Sequence, residues 1–152
     1  MIHGNLEGIR AQLIKEMESL YALEFDGEHF APPELIAAMA RYTGVIRREI
    51  SVYISRDGDV LDVSIGDSGS VPLPEVRLRR SLDRLCGVRC LHTHPDGNPE
   101  LSDVDLNALV KLRFDAIAAI GVLGDKATGI QAAFLGKREN GVPTPQETAL
   151  VP

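Results

Sequence analysis

The chain has 152 residues, 44% apolar and 25% charged, with a formal net charge of -6. That length suits one domain with one substantial core, and the balance excludes a disordered chain, a collagen-like repeat and a coiled coil. The negative charge argues against direct nucleic-acid binding, and the basic run Arg77, Arg79, Arg80 and Arg84 reads as a solvated face.

No apolar stretch approaches the roughly 18 residues that span a bilayer, and the start Met-Ile-His-Gly-Asn-Leu-Glu lacks the layout of a signal peptide. Cys86 and Cys90 are too few for a disulfide scaffold and sit four apart, which suits a reducing compartment. A cytoplasmic protein with free thiols and no membrane association is expected.

In chain order, Ile9, Leu13, Met17 and Leu20 recur at helical spacing within Asn5 to Leu23 and predict an amphipathic helix. Glu24 to Ala31 reads as a loop. Pro32 and Pro33 open a second helix with Leu35, Ile36, Met39 and Tyr42 inward, weakening or ending at Gly44. From Glu49 the period changes. Residues 50–55 and 60–65 are β-branched runs around Arg56-Asp57-Gly58-Asp59, a hairpin signal. Asp67 to Glu75 should be irregular and Leu78 to Leu85 a short helix. Val88 to His94 is a strand stopped by Pro95, and Ser102 to Phe114 a helix with Leu106, Leu109, Val110 and Phe114 inward. Ala116–Val122 and Ile130–Leu135 are strands parted by a turn over 124–129. The expected organisation is one domain over residues 1–136, with a helical part at 5–44 and a linker-like tail at 137–152. Its class is α/β or α+β, in three layers around a mixed sheet. No internal repeat is present.

The informative stretch is HTHPDGNPELSDVD, residues 92–105. Alternate side chains of a strand share a face, so His92 and His94 point the same way. A helix starting near Ser102 can return Asp105 to the same point from its first turn. Two imidazoles and a carboxylate make a catalytic zinc set with a fourth position left to water, whereas calcium prefers more oxygens. Ser102-Asp103-Val104-Asp105 also reads as a helix start of the capping-box kind, which is compatible with ligation by Asp105. Cys90 shares the face of the histidines and reads either as a further ligand or, more simply, as a small buried apolar residue. His3 and His29 have no identifiable partner. Two rival zinc patterns are missing from the chain: the deaminase His-x-Glu with Pro-Cys-x-x-Cys, and the helical His-Glu-x-x-His.

The spacing His-x-His-Pro, six residues, Ser, two residues, Asp resembles the JAMM (MPN+) zinc metallopeptidase motif at every fixed position. That resemblance implies a deaminase-like MPN domain acting as a hydrolase on an amide or isopeptide bond of a protein or peptide. It assigns zinc to His92, His94 and Asp105, and gives Ser102 a part in stabilising the oxyanion. The family's upstream glutamate, at the start of an early strand, matches Glu49 as general base, with Glu75 and Glu100 as fallbacks.

Nearly the whole chain is also similar to the N-terminal extension of bacterial HflX-type GTPases. The matching residues are His3-Gly4-Asn5, Pro33-Glu34-Leu35, Ser55-Arg56-Asp57-Gly58-Asp59-Val60, Ile65-Gly66-Asp67, His92-Thr93-His94, Leu101-Ser102, Asp105-Leu106 and the alanine-rich strand Ala116 to Val122. That likeness implies a second role, as a non-catalytic metal-binding module partnered with a ribosome-associated GTPase. No Gly-x4-Gly-Lys-Ser/Thr phosphate loop occurs in the chain, so GTP binding by that route is not expected of it.

Overall fold

Residues whose side chains alternate between two buried faces form a single mixed sheet. The structure, a computed structural model, describes residues 1–25, 30–66, 87–135 and 145–150, the last as backbone. The strands are β1 (Ile2–Gly4), β2 (Ile50–Ser55), β3 (Val60–Ile65), β4 (Val88–His94), β5 (Ala116–Leu123), β6 (Lys126–Leu135) and β7 (Pro145–Leu150). Their spatial order is β1-β3-β2-β4-β5-β6-β7. The β1–β3 and β4–β5 pairs are parallel and the others antiparallel.

Helices lie on both faces, so the chain is a mixed α/β protein in three layers. One face is covered by α1 (Ala11–Glu18), which tightens into a 3-10 turn at Ser19–Ala22, and by α2 (Pro33–Ile46). There Met17, Leu20, Leu35 and Met39 pack on Val52, Ile54, Val63, Leu91 and Ile120. The opposite face meets α3 (Asp103–Leu112), whose Leu109 and Leu112 close over Tyr53, Cys90, Phe114 and Ile117. Burying one such aliphatic side chain is worth about 1.5–3 kcal/mol, so the two apolar faces hold the layers together. Among the described residues no helix is long and apolar enough to cross a membrane.

The hairpin β2–β3, the strand ending in the two histidines, and the helix after Ser102 form where the sequence places them. Four features differ. The first helix is shorter than Asn5–Leu23, starting only at Ala11, and ahead of it Ile2–Gly4 joins the sheet beside β3. Helix α2 runs through Gly44 to Ile46; that glycine is needed for proximity, since a Cβ there would lie 2.1 Å from the Gly124 carbonyl oxygen. Strand β6 begins at Lys126, because Gly124-Asp125 alone turns the chain after a register shift at Gly121/Val122. The tail expected as a linker contributes Pro145–Leu150, which pairs with β6. The irregular stretch Asp67–Glu75, the helix Leu78–Leu85, the arginine run, His29, Glu75 and Cys86 lie outside the described residues.

Candidate metal centre

The site forms where β4 ends beside the entrance to β2. Helix α2 stops at Arg47, whose left-handed backbone (φ 58°) turns the chain within three residues into β2. Ser51 lies opposite His92 in the β2–β4 ladder, so extending the register by two residues sets Glu49 opposite His94. On the other side of β4, His92 and His94 face Ala119 and Gly121 of β5, small residues that leave the face open above them. Pro95 ends the strand, and the return loop is tied down on all sides. Thr128 Oγ1 donates to the Gly97 carbonyl at 2.7 Å and the Leu101 N–H to Gln131 Oε1 at 2.6 Å.

That loop delivers the first turn of α3. The Asp105 N–H donates to Ser102 Oγ at 3.1 Å, and the Ser102 N–H donates to Asp105 Oδ2 at 2.9 Å, a reciprocal capping box. The cap therefore sets the rotamer of Asp105, and the same Oδ2 lies 3.2 Å from His92 Nε2 and 3.7 Å from His94 Nε2. The two Nε2 atoms are 3.0 Å apart. Four ligands held roughly 2.0–2.1 Å from a tetrahedral centre are separated by about 3.3 Å. The three observed separations bracket that edge, so these residues fit one small cation and leave a fourth corner open. Among the described residues this is the group that can hold a metal ion.

Electrostatics point the same way. Burial works to raise the Asp105 pKa, but hydrogen bonds from His92 and His94 prevail and hold it well below the usual carboxylate range. For His94 burial opposes the charge, yet contacts with Asp105, the Asn98 carbonyl and Glu49 outweigh it and raise the pKa. The pocket therefore favours positive charge among its three donors. His94 Nδ1–H donates to the Asn98 carbonyl at 2.7 Å, which presents the Nε2 lone pair to the cluster. His92 is fully buried, and among the described residues its Nδ1 has no hydrogen-bond partner.

Glu49 is only 5% exposed, with Oε1 4.0 Å from His94 Nε2 and Oε2 buried without a hydrogen-bond partner among the described residues. Burial is the main influence that pushes its carboxyl up to about 7, His94 pulls against it, and Asp105 and Asp96 add to the rise. Ser102 is exposed at the helix start; its oxygen accepts the cap hydrogen bond, which leaves its O–H proton to donate. Glu100 is exposed on the return loop. Cys90 lies in the apolar cluster under α3, where burial raises its thiol pKa far enough to keep it protonated, the state of a core residue.

His3 does have a partner, contrary to expectation. Its Nδ1 is 2.6 Å from Asp62 Oδ1, a contact 59 residues apart in sequence that only the pairing of β1 with β3 creates. Thr93 is the other group that sequence reasoning missed. It points to the α2 face, where Thr43 Oγ1 lies 2.6 Å away and where it accepts the Ile50 N–H at 2.9 Å. The threonine in His-Thr-His thus fastens the ligand strand to the start of β2. No protein-family model matches the chain, and no curated protein is significantly similar to it. The functional reading therefore rests on this geometry and on the motif.

Proposed function

We propose that the protein is a zinc-dependent hydrolase of the JAMM type, in an MPN, deaminase-like version of the three-layer fold, that cuts an amide or isopeptide bond. The observation that carries the reading is the meeting of His92 Nε2, His94 Nε2 and Asp105 Oδ2 with a buried Glu49 carboxylate beside them, whose Oε2 has no hydrogen-bond partner among the described residues. Two imidazoles and one carboxylate with an open corner favour zinc over the hard, oxygen-seeking cations. The carboxylates of Asp105 and Glu49 together balance a dication. Zinc held there supplies Lewis acidity, acidifying a water and polarising a carbonyl.

The chain's own groups do the rest. Glu49, with a pKa pushed up to about 7, is matched to take a proton from the attacking water near neutral pH. The water oxygen bonds to the carbonyl carbon, and Glu49 returns the proton to the leaving nitrogen as the C–N bond breaks. The Ser102 hydroxyl donates to the oxygen of the scissile carbonyl. The imidazoles are held by the central strand and Asp105 by its cap, so little reorganisation accompanies the reaction.

The test combines metal analysis with one isosteric variant. Purified protein should carry about one zinc per chain after reconstitution, and Glu49→Gln should retain it. Cleavage of an amide-linked peptide or small ubiquitin-like fold should fall by about 10²–10⁴-fold in that variant, the usual worth of a positioned base. Absence of metal would remove the reading altogether. Zinc binding without cleavage by the unmutated chain would favour the regulatory module attached to or partnered with a GTPase, in the cytoplasm and near the ribosome.

A further inference from the structure

His92 poses a problem that the three ligands do not solve. With Nε2 given to a cation, a neutral imidazole must carry its proton on Nδ1, and that atom is fully buried with no partner. A buried donor left unpaired is costly, and the outer nitrogen of a metal-bound histidine almost always donates to something. The β2–β4 register puts Ser51 directly across from His92 on the same sheet face. Ser51 is also fully buried, and among the described residues its Oγ makes no hydrogen bond of ordinary geometry. Cross-strand neighbours have Cβ atoms about 4.5–5.5 Å apart, a gap closed by a side-chain rotation or by one buried water.

The row continues beyond Ser51. In the β2–β3 register Ser51 faces Ser64, whose hydroxyl donates to Asp62 Oδ2 at 3.0 Å, and Asp62 Oδ1 takes the Nδ1–H of His3 at 2.6 Å. His3 lies opposite Ser64 in β1. Ser51, Asp62, Ser64 and His92 are all buried. A turn of the Ser51 side chain into this row gives every proton an acceptor: His92 Nδ1–H to Ser51, the Ser51 hydroxyl to Ser64, and the Ser64 hydroxyl to the Asp62 carboxylate, the last of these already in place. Tyr53, two residues along β2 on the same face, is another polar group within reach of Ser51, and its oxygen is a second acceptor for the serine's proton.

We propose that Ser51 is the positioning residue for His92, accepting its Nδ1–H directly or through one water, and that Ser64 and Asp62 back it as the far end of one buried hydrogen-bond row. The row fixes the His92 tautomer and turns Nε2 toward the cation, with a carboxylate at the far end making the imidazole a better donor. This rests on the metal-centre reading and not on hydrolysis.

The experiment measures cobalt(II) and zinc affinity by competition with a chelator in the full chain and in Ser51→Ala. Affinity is expected to fall by about 10–100-fold, the usual effect of losing such an outer partner. Ser51→Thr and Ser51→Val guard against a packing artefact, since they differ only by the hydroxyl. The threonine variant should bind near the unmutated level and the valine variant should not. In the loaded protein, NMR should show a slowly exchanging His92 Nδ1–H that loses protection in Ser51→Ala. Equal affinity across Ser51→Ala, Thr and Val, with the unmutated chain binding metal, would overturn this inference and leave the metal centre standing. No binding by the unmutated chain would overturn both.

Discussion

Replacing Glu49 by glutamine tests the account of the site without any substrate. Burial raises this carboxyl from its ordinary 4.5 to about 7. A carboxylate whose folded-state pKa is raised binds its proton more tightly when folded, so the penalty is absent below about pH 4.5 and grows as pH rises. It is complete above about pH 7. A rise of this size corresponds to about 3 kcal/mol. Glutamine keeps the shape and never ionises. Metal-free Glu49→Gln should therefore match the unmutated protein near pH 4.5 and exceed it by about 3 kcal/mol at pH 8. For a chain of this length that is a rise in Tm of about 6–12 °C. Glu49 is itself one of the groups that hold His94 in its charged form, so the difference between the two proteins reports the Glu49–His94 pair as a unit. Urea denaturation in chelator at half-unit steps from pH 4.5 to 8.5 reads the effect. A difference that stays flat with pH would refute the claim that Glu49 is held desolvated. Adding zinc should shrink the gap at pH 8, since a neighbouring dication favours the carboxylate's charged form.

Asp105→Ala should abolish stoichiometric metal binding and also lower the stability of the metal-free protein by about 0.5–1 kcal/mol, through the lost cap and first-turn charge; unchanged melting in chelator would sink the capping half. Thr93→Val keeps volume but strands the buried Ile50 N–H, so denaturant titration should show a loss of about 1–3 kcal/mol. Gly44→Ala improves helix propensity by about 1 kcal/mol yet drives a methyl into the Gly124 carbonyl. A net loss of about 1–3 kcal/mol is expected, and a gain in Tm would show that the α2 contact with the β5–β6 turn is looser than described.

The parts of the fold that could be read from residues are those governed by local rules. Alternation placed His92 and His94 on one face because strand parity depends on nothing beyond β4 itself. The Ser102–Asp105 cap was legible because its hydrogen bonds close within four residues. Strand β1 was not legible, since Ile2–Gly4 is too short for any periodicity and becomes a strand only by pairing with β3. The Pro145–Leu150 segment is likewise strand by virtue of its neighbour β6. The His3–Asp62 pair and the Ser51–His92 juxtaposition depend on register between distant segments. Nothing in a run such as Ile50-Ser51-Val52 distinguishes a serine facing a ligand from one filling a polar gap. Glu49 was placed by resemblance, and its burial emerged only from the turn at Arg47 and the closing of β4 alongside.

The three candidate ligands do not all sit in equally rigid ground. Both imidazoles hang from β4, the fourth of seven strands, whose backbone is paired along both edges. Asp105 belongs to the first turn of a ten-residue helix, the part of a helix that frays first. Metal release should then proceed by loss of the carboxylate, with the Ser102 cap acting as its latch. The off-rate would follow the opening of one helical turn, far faster than global unfolding, and a tighter cap would lengthen the residence time of the ion while leaving the sheet untouched.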